Sequence, residues 1–312
     1  MTWLRRAPAL RSETIAAIAT ITLGVALALA VPADNAARAQ PAARVQPEVI
    51  KLVLQIDGTP VDVVTDLYKP AGDGPFAPVI FSHGRAGSRV ERSRLRRPIL
   101  VGHANYWLAK GVAVVAPVRP GYGETGGADR EDSHARWQGD TCIADPDFTR
   151  TADKAREVVQ ATYQWALAQP WVRKDRILLE GQSVGGMTTV ATGALNLPGV
   201  LGFVNFAGGA AGNPDVSPGK SCKPDNLVAL YRTFGQQVKV PSLWLYAEND
   251  LYWGPQMPRK WFDAFRAGGS DSELVQTPAL EGHDGHKLLE FGGRMWHAPL
   301  DAFVRKVGLL AP

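Results

Sequence analysis

The sequence predicts an α/β fold, in which one domain is built on a mostly parallel β-sheet with helices on both faces. The chain has 312 residues, of which 45% are hydrophobic, and this is enough to bury a full-sized core. Short continuous apolar runs recur along the chain, as they do in strands that are covered on both faces. Helical stretches separate these runs, and strands that alternate with helices form parallel sheets with right-handed crossovers.

The composition excludes several classes of protein. Cys142 and Cys222 are the only cysteines and stand 80 residues apart, so neither a disulfide-rich miniature fold nor a zinc cluster built on cysteine pairs is expected. The formal net charge is +4; without the first 39 residues, which hold four arginines and two acidic residues, it is +2. A nearly neutral chain gives no electrostatic argument for nucleic-acid binding.

Residues 1–39 are predicted to be a secretory signal peptide. Three arginines precede a nearly unbroken apolar run at 14–31, and Ala37-Arg38-Ala39 has the small-x-small pattern of a cleavage site before Gln40. The alternative is an uncleaved membrane anchor, because about 18 apolar residues are just enough to span a bilayer. In both cases residues 40–312 are expected outside the cytoplasm, in the periplasm or the extracellular space, where disulfides persist.

The predicted domain begins with an antiparallel hairpin. Residues 49–56 and 61–68 are rich in β-formers and meet at Asp57-Gly58, a dipeptide typical of tight hairpin turns. The predicted parallel strands are the apolar runs at 78–81, 112–116, 177–179, 200–206, 242–247 and 273–276. The clearest predicted helices lie at 151–168, 187–195, 255–267 and 300–307. The irregular stretch 117–148 is rich in glycine and polar residues, and loops of that length are often functional.

A reactive serine is predicted where one parallel strand ends, since chemistry in such sheets gathers at the carboxyl ends of the strands. Gly181-Gln182-Ser183-Val184-Gly185 matches the G-x-S-x-G pattern and lies between an apolar strand and a helix. Glycines are needed there because a sharp strand-to-helix turn leaves no room for neighbouring Cβ atoms. The N–H of Val184, at the helix N-terminus, is expected to stabilise an oxyanion. The alternative is an ordinary glycine-rich turn whose serine caps the helix.

A serine nucleophile needs a general base and an acid that orients the base. In the fold that carries this turn the chain order is serine, acid, histidine. His283 and His286 are the candidate bases, because both stand on a glycine-bracketed loop after the last predicted strand. His286 is preferred and His283 is the alternative. His297 is expected to pack or cap at the terminal helix. A metal site formed by His283, Asp284 and His286 is a further alternative, although no further ligand cluster accompanies them.

The predicted acid is Asp250, which follows the apolar strand at 242–247. A side chain in that loop would enter the active face of the sheet. Glu248 is the alternative acid.

A second oxyanion donor is predicted after the strand that begins at residue 78. His83-Gly84 at this position precedes the other oxyanion-hole loop of such folds, which makes the N–H of Arg85 the second donor. His83 is then structural, and the Arg85 guanidinium is expected to be able to meet a carboxylate on the substrate. The alternative for this segment is an ordinary polar turn.

Taken together, these motifs resemble the α/β-hydrolases, and within them the secreted bacterial dienelactone-hydrolase-like group. The matching segments are Ser82-His83-Gly84, Arg119-Pro120-Gly121-Tyr122-Gly123, Gly181-Gln182-Ser183-Val184-Gly185-Gly186, Leu243-Trp244-Leu245-Tyr246-Ala247-Glu248-Asn249-Asp250 and Asp284-Gly285-His286. The resemblance implies an eight-stranded, mostly parallel sheet and a triad of Ser183, Asp250 and His286. It implies an exported serine hydrolase of small-molecule carboxylic esters, without a cofactor.

The chain departs from this group at the nucleophile. Well-studied dienelactone hydrolases use a cysteine where this chain has Ser183, so the resemblance implies serine esterase chemistry rather than the opening of a dienelactone. A peptidase or an acyltransferase on the same fold is an alternative enzyme. A catalytically silent exported scaffold that acts as a binding protein is the alternative from another class.

Two further predictions concern the loops around the expected site. Cys142 and Cys222 fall in loops on the face where Ser183 would emerge, so export implies a disulfide between them, with two free thiols as the alternative. Aromatic residues in loops on the same face are expected to line a pocket for an acyl or aryl group. These residues are Tyr122, Trp137, Tyr252 and Trp253.

Overall fold

Ten strands and eight α-helices are found in residues 45–310, the part of the chain that the computed structural model describes. The predicted signal peptide, residues 1–39, lies outside the described residues. The strands are β1 (Glu48–Ile56), β2 (Thr59–Tyr68), β3 (Pro78–Ser82), β4 (Ala113–Pro117), β5 (Trp137–Gln138), β6 (Thr141–Cys142), β7 (Ile177–Gln182), β8 (Val200–Phe206), β9 (Ser242–Ala247) and β10 (Ser272–Thr277). The helices are α1 (Arg89–Ser93), α2 (Val101–Leu108), α3 (Phe148–Leu167), α4 (Val184–Gly193), α5 (Pro224–Gly235), α6 (Met257–Arg266), α7 (Leu288–Phe291) and α8 (Gly293–Lys306).

The predicted hairpin is confirmed. Strands β1 and β2 pair antiparallel, and Asp57 and Gly58 between them have φ values of 51° and 71°. Positive φ at both turn residues gives a turn whose twist matches that of the two strands. Inward residues of β1, such as Leu52 and Leu54, pack with Val158 of α3, so one face of this edge strand is buried.

Eight strands form the main sheet in the order β1-β2-β4-β3-β7-β8-β9-β10. Strand β2 runs antiparallel to β1 and β4, whereas the strands from β4 to β10 in this order are parallel to one another. The predicted eight-stranded, mostly parallel sheet is therefore confirmed. Because the parallel strands end at one edge, the loops after β3, β4, β7, β9 and β10 meet there.

Helices cover both faces of this sheet, as the continuous apolar runs predicted. In β7, Leu179 belongs to a core cluster formed with α3, α4, α5 and α6, whereas Leu178 belongs to a cluster formed with α2, α7 and α8. Strand β9 divides in the same way between Trp244 and Leu243. Successive side chains of a strand point to opposite faces, so both positions must be apolar when both faces are buried.

Several helices were not predicted. The short helices α1, α2 and α7 lack a long amphipathic pattern, and short helices are stabilised by packing more than by their own propensity. The 12-residue helix α5 was also not predicted, although its buried residues Leu227, Leu230, Tyr231 and Phe234 recur at helical spacing. Helix α8 begins at Gly293 rather than at residue 300, and it includes Pro299. The irregular stretch 117–148 contains the small antiparallel hairpin of β5 and β6. Within residues 45–310, no helix combines the length and apolarity needed to cross a membrane.

Candidate active site

Ser183 lies on a strained turn between β7 and α4. Its φ of 58° and ψ of −126° are rarely adopted by a residue with a side chain, and strain of this kind is characteristic of a nucleophile elbow. A Cβ on Gly185 would overlap the Ser82 carbonyl, and a Cβ on Gly181 would overlap the Gly185 carbonyl. The glycines of the pentapeptide are therefore required by close backbone contacts, for the reason the sequence suggested.

A buried polar cluster holds the strand that leads to this turn. Glu180 is fully buried in β7, and its carboxylate accepts hydrogen bonds of 2.8 Å from Trp107 Nε1 and from His103 Nε2 of α2. These contacts join the strand to a helix on one face of the sheet, directly before the elbow. Sequence reasoning missed them because the partners are more than 70 residues apart.

Asp250 and His286 form a close pair at the same edge of the sheet. His286 Nδ1 lies 3.0 Å from Asp250 Oδ2, and Asp250 is 1% exposed. The other carboxylate oxygen accepts hydrogen bonds from the N–H groups of Tyr252 (2.8 Å) and Trp253 (3.1 Å). A carboxylate beside Nδ1 favours the tautomer in which Nδ1 donates to it, which leaves Nε2 free to accept a proton.

The imidazole ring is held by its neighbours. Tyr252 stacks on it with the ring centroids 4.0 Å apart, and Trp253 meets it edge-on at 5.4 Å. Its backbone is fixed as well, because Asp284 accepts a 2.9 Å bond from the His286 N–H and Gln182 Nε2 donates a 3.0 Å bond to its carbonyl. Gln182 precedes Ser183, so this bond connects the loop of the predicted base to the elbow.

Ser183 and His286 line one cavity, and among residues 45–310 no hydrogen bond joins the serine hydroxyl to the imidazole. Such contacts are often long without substrate and shorten when it binds.

The residues considered as alternative base and alternative acid lie outside the Asp250–His286 pair. His283 is exposed and stacks on Phe291 at 4.0 Å, and Glu248 is exposed beyond the end of β9. His297 stacks on Tyr106 at 5.0 Å, in the packing role expected of it. In the described part of the chain no group of three histidine, cysteine or acidic side chains is placed to hold a metal ion.

The two predicted oxyanion donors flank Ser183. Val184 begins α4, so its N–H has no partner within the helix. The loop that carries Arg85 packs closely on the elbow, because a Cβ on Gly84 would lie 3.3 Å from the Ser183 Cβ. Neither N–H donates a hydrogen bond to another group of residues 45–310, so both can bind a substrate oxygen.

His83 has a structural role in this loop. It is buried; Nδ1 donates to the Gly84 carbonyl at 2.7 Å, and Nε2 accepts the Arg119 N–H at 3.1 Å. Burial and the positive charge of Arg119 hold the pKa of His83 well below its usual value of 6.5. The ring is therefore neutral and serves as a brace between two loops.

Arg119 fixes the same loop from β4. It is fully buried, pairs with Glu131 at 2.6 Å, and donates to the carbonyls of His83 (2.6 Å) and Gly84 (3.3 Å). These two carbonyls directly precede the N–H of Arg85. The sequence drew attention to Arg119 only as part of a motif; a charged residue directly after the apolar β4 was the available signal.

The expectation that Arg85 could bind a substrate carboxylate is corrected. Its guanidinium already forms two 2.7 Å hydrogen bonds with Asp129, and Arg92 lies 3.3 Å from the same carboxylate. Burial opposes the charge of Asp129, but the hydrogen bonds from Arg85 and the charges of both arginines lower its pKa. The side chain of Arg85 is therefore paired within the protein.

The predicted disulfide is present. Cys142 of β6 is bonded to Cys222, and their Cα atoms are 5.2 Å apart. The bond joins the hairpin that carries Trp137 to the segment that precedes α5, where the Cys222 N–H donates to the Ala211 carbonyl at 3.0 Å. It fastens together two walls of the cavity described next.

Two cavities meet at Ser183. The larger has a volume of about 970 Å³ and is lined by the 129–137 segment, Arg92 and the 210–215 segment. The smaller, of about 330 Å³, is lined by His286, Gln182 and apolar residues including Leu289. Trp137 and Trp253 line the larger cavity, Tyr122 the smaller and Tyr252 both, so each aromatic residue expected at the site does line it.

Comparison with known proteins supports the fold. Similar solved structures include an esterase from Pyrococcus furiosus (14% identity, 83% of this chain and 91% of that chain covered, TM-score 0.56). A thermophilic esterase from Thermogutta terrifontis is also similar (14% identity, 86% and 96% covered, TM-score 0.54). So is the acylaminoacyl peptidase of Pyrococcus horikoshii (12% identity, 85% and 42% covered, TM-score 0.57). No protein-family model and no curated protein matches the sequence. The chain has the α/β-hydrolase fold.

Proposed function

We propose that this protein is an exported serine hydrolase that cleaves carboxylic esters through Ser183, His286 and Asp250. One observation carries the proposal: the buried Asp250 carboxylate holds His286 Nδ1 at 3.0 Å, and the imidazole shares a cavity with the serine of a strained elbow. A nucleophile, a base and an orienting acid placed in this way are the parts that acyl transfer requires. The fold is one that also carries esterases.

The proposed reaction has two halves. His286 Nε2 takes the proton of Ser183 as Oγ attacks the ester carbonyl, and Asp250 stabilises the imidazolium that forms. The imidazolium then gives this proton to the alcohol oxygen, the C–O bond breaks and the acyl group stays on Ser183. In the second half His286 takes a proton from a water molecule, whose oxygen attacks the acyl carbonyl. The imidazolium then gives this proton to Ser183 Oγ as the bond between Oγ and the acyl carbon breaks, which releases the acid and restores the serine hydroxyl.

The N–H groups of Val184 and Arg85 bind the oxyanion in both halves. An oxyanion donor of this kind contributes about 3 kcal/mol to the transition state. Arg119 and His83 act as positioning residues, because they hold the loop that presents Arg85 without reaching the reacting atoms. No step of this mechanism requires a cofactor.

Export is proposed from the N-terminal sequence and from the disulfide. A charged, apolar and small-residue pattern in that order at residues 1–39 is typical of a signal peptide, and disulfides persist outside the cytoplasm. Mass measurement of the chain secreted by its native host is expected to show Gln40 as the first residue. A chain retained in the membrane with residues 1–39 attached would support the anchor instead.

Labelling with a fluorophosphonate tests the nucleophile. We expect one adduct on Ser183 in the mature protein and loss of both labelling and p-nitrophenyl acetate hydrolysis in Ser183→Ala. Paired variants test the base: His286→Ala is expected to lose at least about 10³ in kcat, whereas His283→Ala, which changes an exposed ring on the same loop, keeps the wild-type rate. Labelling elsewhere, or hydrolysis that survives Ser183→Ala, would refute the triad.

A peptidase is the second candidate, because the acylaminoacyl peptidase is similar in structure over 42% of its chain. The same residues could cleave an amide if the site protonates a leaving amine. Matched p-nitrophenyl ester and p-nitroanilide substrates with one acyl group separate the two functions. We expect the ester to be hydrolysed and the anilide to be left nearly intact; comparable turnover of both would favour the peptidase.

A further inference from the structure

Only one of the two cavities at Ser183 is lined by the proposed base, and this difference predicts which part of an ester lies in which cavity. His286 lines the smaller cavity and not the larger one. In the proposed mechanism the base gives its proton to the departing alcohol, so that alcohol must lie on the side of His286. The acyl group then extends into the larger cavity. This inference rests on the proposed function, since it assigns the two parts of its ester substrate.

The smaller cavity fits a small alcohol. Its volume is about 330 Å³, and its walls include the apolar side chains of Phe81, Ile99 and Leu289. The larger cavity has about three times this volume, at about 970 Å³. The bulkier part of an ester is therefore assigned to the acyl side, where about three times as much space is available.

The larger cavity is polar, and its lining holds more acidic than basic side chains. Arg85 and Arg92 share the carboxylate of Asp129, and Glu131 is paired with the buried Arg119. Asp132 pairs with Arg136 at 3.4 Å. Glu91 and Asp215 also line the cavity and form no ion pair with a described residue, so the charge that remains is negative and disfavours an acyl group that carries a carboxylate. Burying a charge without a partner is costly, so a neutral ligand is favoured.

Several hydrogen-bonding groups in this wall remain available. Arg92 is not one of them, because its guanidinium is occupied by Asp129 and the Gly87 carbonyl and its Nε is buried beneath the surface. Asn213 Oδ1 accepts the Asp215 N–H at 3.2 Å, and its amide N–H groups donate to no described residue. Trp137, half-buried on the β5–β6 hairpin, adds an aromatic face and an indole N–H that donates to no other described residue. Donors beside an aromatic face suit a ring or chain that bears hydroxyl groups.

We infer that the substrate is an ester of a bulky, neutral, hydroxylated acid with a small alcohol. Asn213 and Trp137 bind the hydroxylated acyl group in the larger cavity, and the alcohol leaves through the smaller cavity beside His286. The disulfide keeps the Trp137 and Asn213 walls in register, because it joins the hairpin of one to the segment that follows the other.

A matched set of methyl esters tests the acyl side. Methyl 3,4,5-trihydroxycyclohex-1-enecarboxylate and methyl cyclohex-1-enecarboxylate differ only in hydroxyl groups, and the monomethyl ester of cyclohexane-1,4-dicarboxylic acid adds a carboxylate. We expect kcat/KM for the trihydroxy ester to exceed both others by at least about tenfold, since unpaired polar groups in a site discriminate strongly against an analogue that lacks hydroxyls. A preference for the apolar ester or for the carboxylate would overturn the inference.

Reversed esters test the orientation. When the trihydroxy ring is moved to the alcohol side, as the acetate of the corresponding ring methanol, kcat/KM is expected to fall at least about tenfold below that of the methyl ester. Equal rates for the two arrangements would overturn the assignment of the cavities. Fluorophosphonate labelling of Ser183 tests the proposed function independently of these esters. Failure of the substrate assignment can therefore be distinguished from failure of the serine hydrolase proposal.

Variants of the wall connect the preference to its residues. Asn213→Ala and Trp137→Ala are each expected to reduce the ratio of kcat/KM between the trihydroxy and the plain ring ester at least about threefold. Lys239→Ala is the matched control, because this exposed lysine lies just before β9, at the amino end of the sheet and away from both cavities. A ratio that is unchanged in both wall variants would refute the role of these residues.

Discussion

Replacing Arg119 by methionine should damage both stability and catalysis, and a second substitution should separate the two effects. The side chain is fully buried and pairs with Glu131, which is 2% exposed. Methionine fills a similar volume but leaves the Glu131 carboxylate buried without its partner. Breaking a buried ion pair on one side typically costs 3–5 kcal/mol, so we expect the free energy of unfolding to fall by about 4 kcal/mol.

The double variant Arg119→Met/Glu131→Gln removes the stranded charge. Since a buried pair can often be replaced by neutral residues with little loss, we expect the double variant to regain at least about 2 kcal/mol relative to Arg119→Met. Urea unfolding followed by tryptophan fluorescence measures both values. A double variant that is no more stable than the single one would refute the view that an unpaired carboxylate causes the loss.

Catalysis should not recover in the double variant. Arg119 donates to the carbonyls of His83 and Gly84, which hold the loop whose next N–H is the proposed oxyanion donor. Losing one such donor costs about 10² to 10³ in kcat, with a smaller effect on KM because the interaction strengthens in the transition state. Arg119→Lys keeps the charge but loses the forked donors, so its kcat should lie between those of the wild type and Arg119→Met. Wild-type kcat in a folded double variant would show that Arg119 does not position the loop.

Three further predictions concern stability. His83→Gln should make the free energy of unfolding less sensitive to acid. In the wild type the unfolded chain binds a proton on His83 near pH 6.5 while the folded chain does not, so this residue costs up to about 1.4 kcal/mol of stability per pH unit below 6.5. Equal slopes of stability against pH in the variant and the wild type would contradict this. Gly185→Ala should lower the free energy of unfolding by about 3 kcal/mol or more, because the added Cβ overlaps the Ser82 carbonyl. Gly102→Ala, in open space on α2, should be neutral or stabilising, and melting temperatures in the opposite order would refute the packing argument. Replacing Cys142 and Cys222 by serine should cost up to about 4–5 kcal/mol in the chain-entropy model for a sequence separation of 80, and an unchanged melting temperature would contradict it.

The sequence predicted the sheet and the elbow well because the signals for both are local. Continuous apolar runs such as 242–247 follow from burial on both faces, and each strand of the main sheet lies at or next to its predicted run, whereas β5 and β6 were not predicted. The Gly181–Gly185 motif is also local, since its glycines are required by contacts within one turn and with the adjoining strand. Short helices such as α1 and α7 were missed because their stability comes from the core they pack on.

The candidate site was predicted as residue types in a chain order, and the tertiary structure decided which residues meet. His283 and His286 stand three positions apart on one loop, and the sequence left His283 as the alternative base. In the structure only His286 meets the Asp250 carboxylate, from the 3-10 turn at Gly285–Lys287 that Asp284 caps. The pairing of Arg85 with Asp129 bridges 44 residues of chain, so no local pattern could have announced it.

The amino-acid sequence by itself therefore determined the fold class, the strands and the presence of a serine elbow, because apolar periodicity and glycine placement act over a few residues. Only the tertiary structure decided how the charges pair, that Arg119 supports the oxyanion loop, and that a large polar cavity and a small one meet at Ser183. Those features depend on loops that come from distant parts of the chain and converge at one edge of the sheet, where contact distances rather than local propensities determine which groups interact.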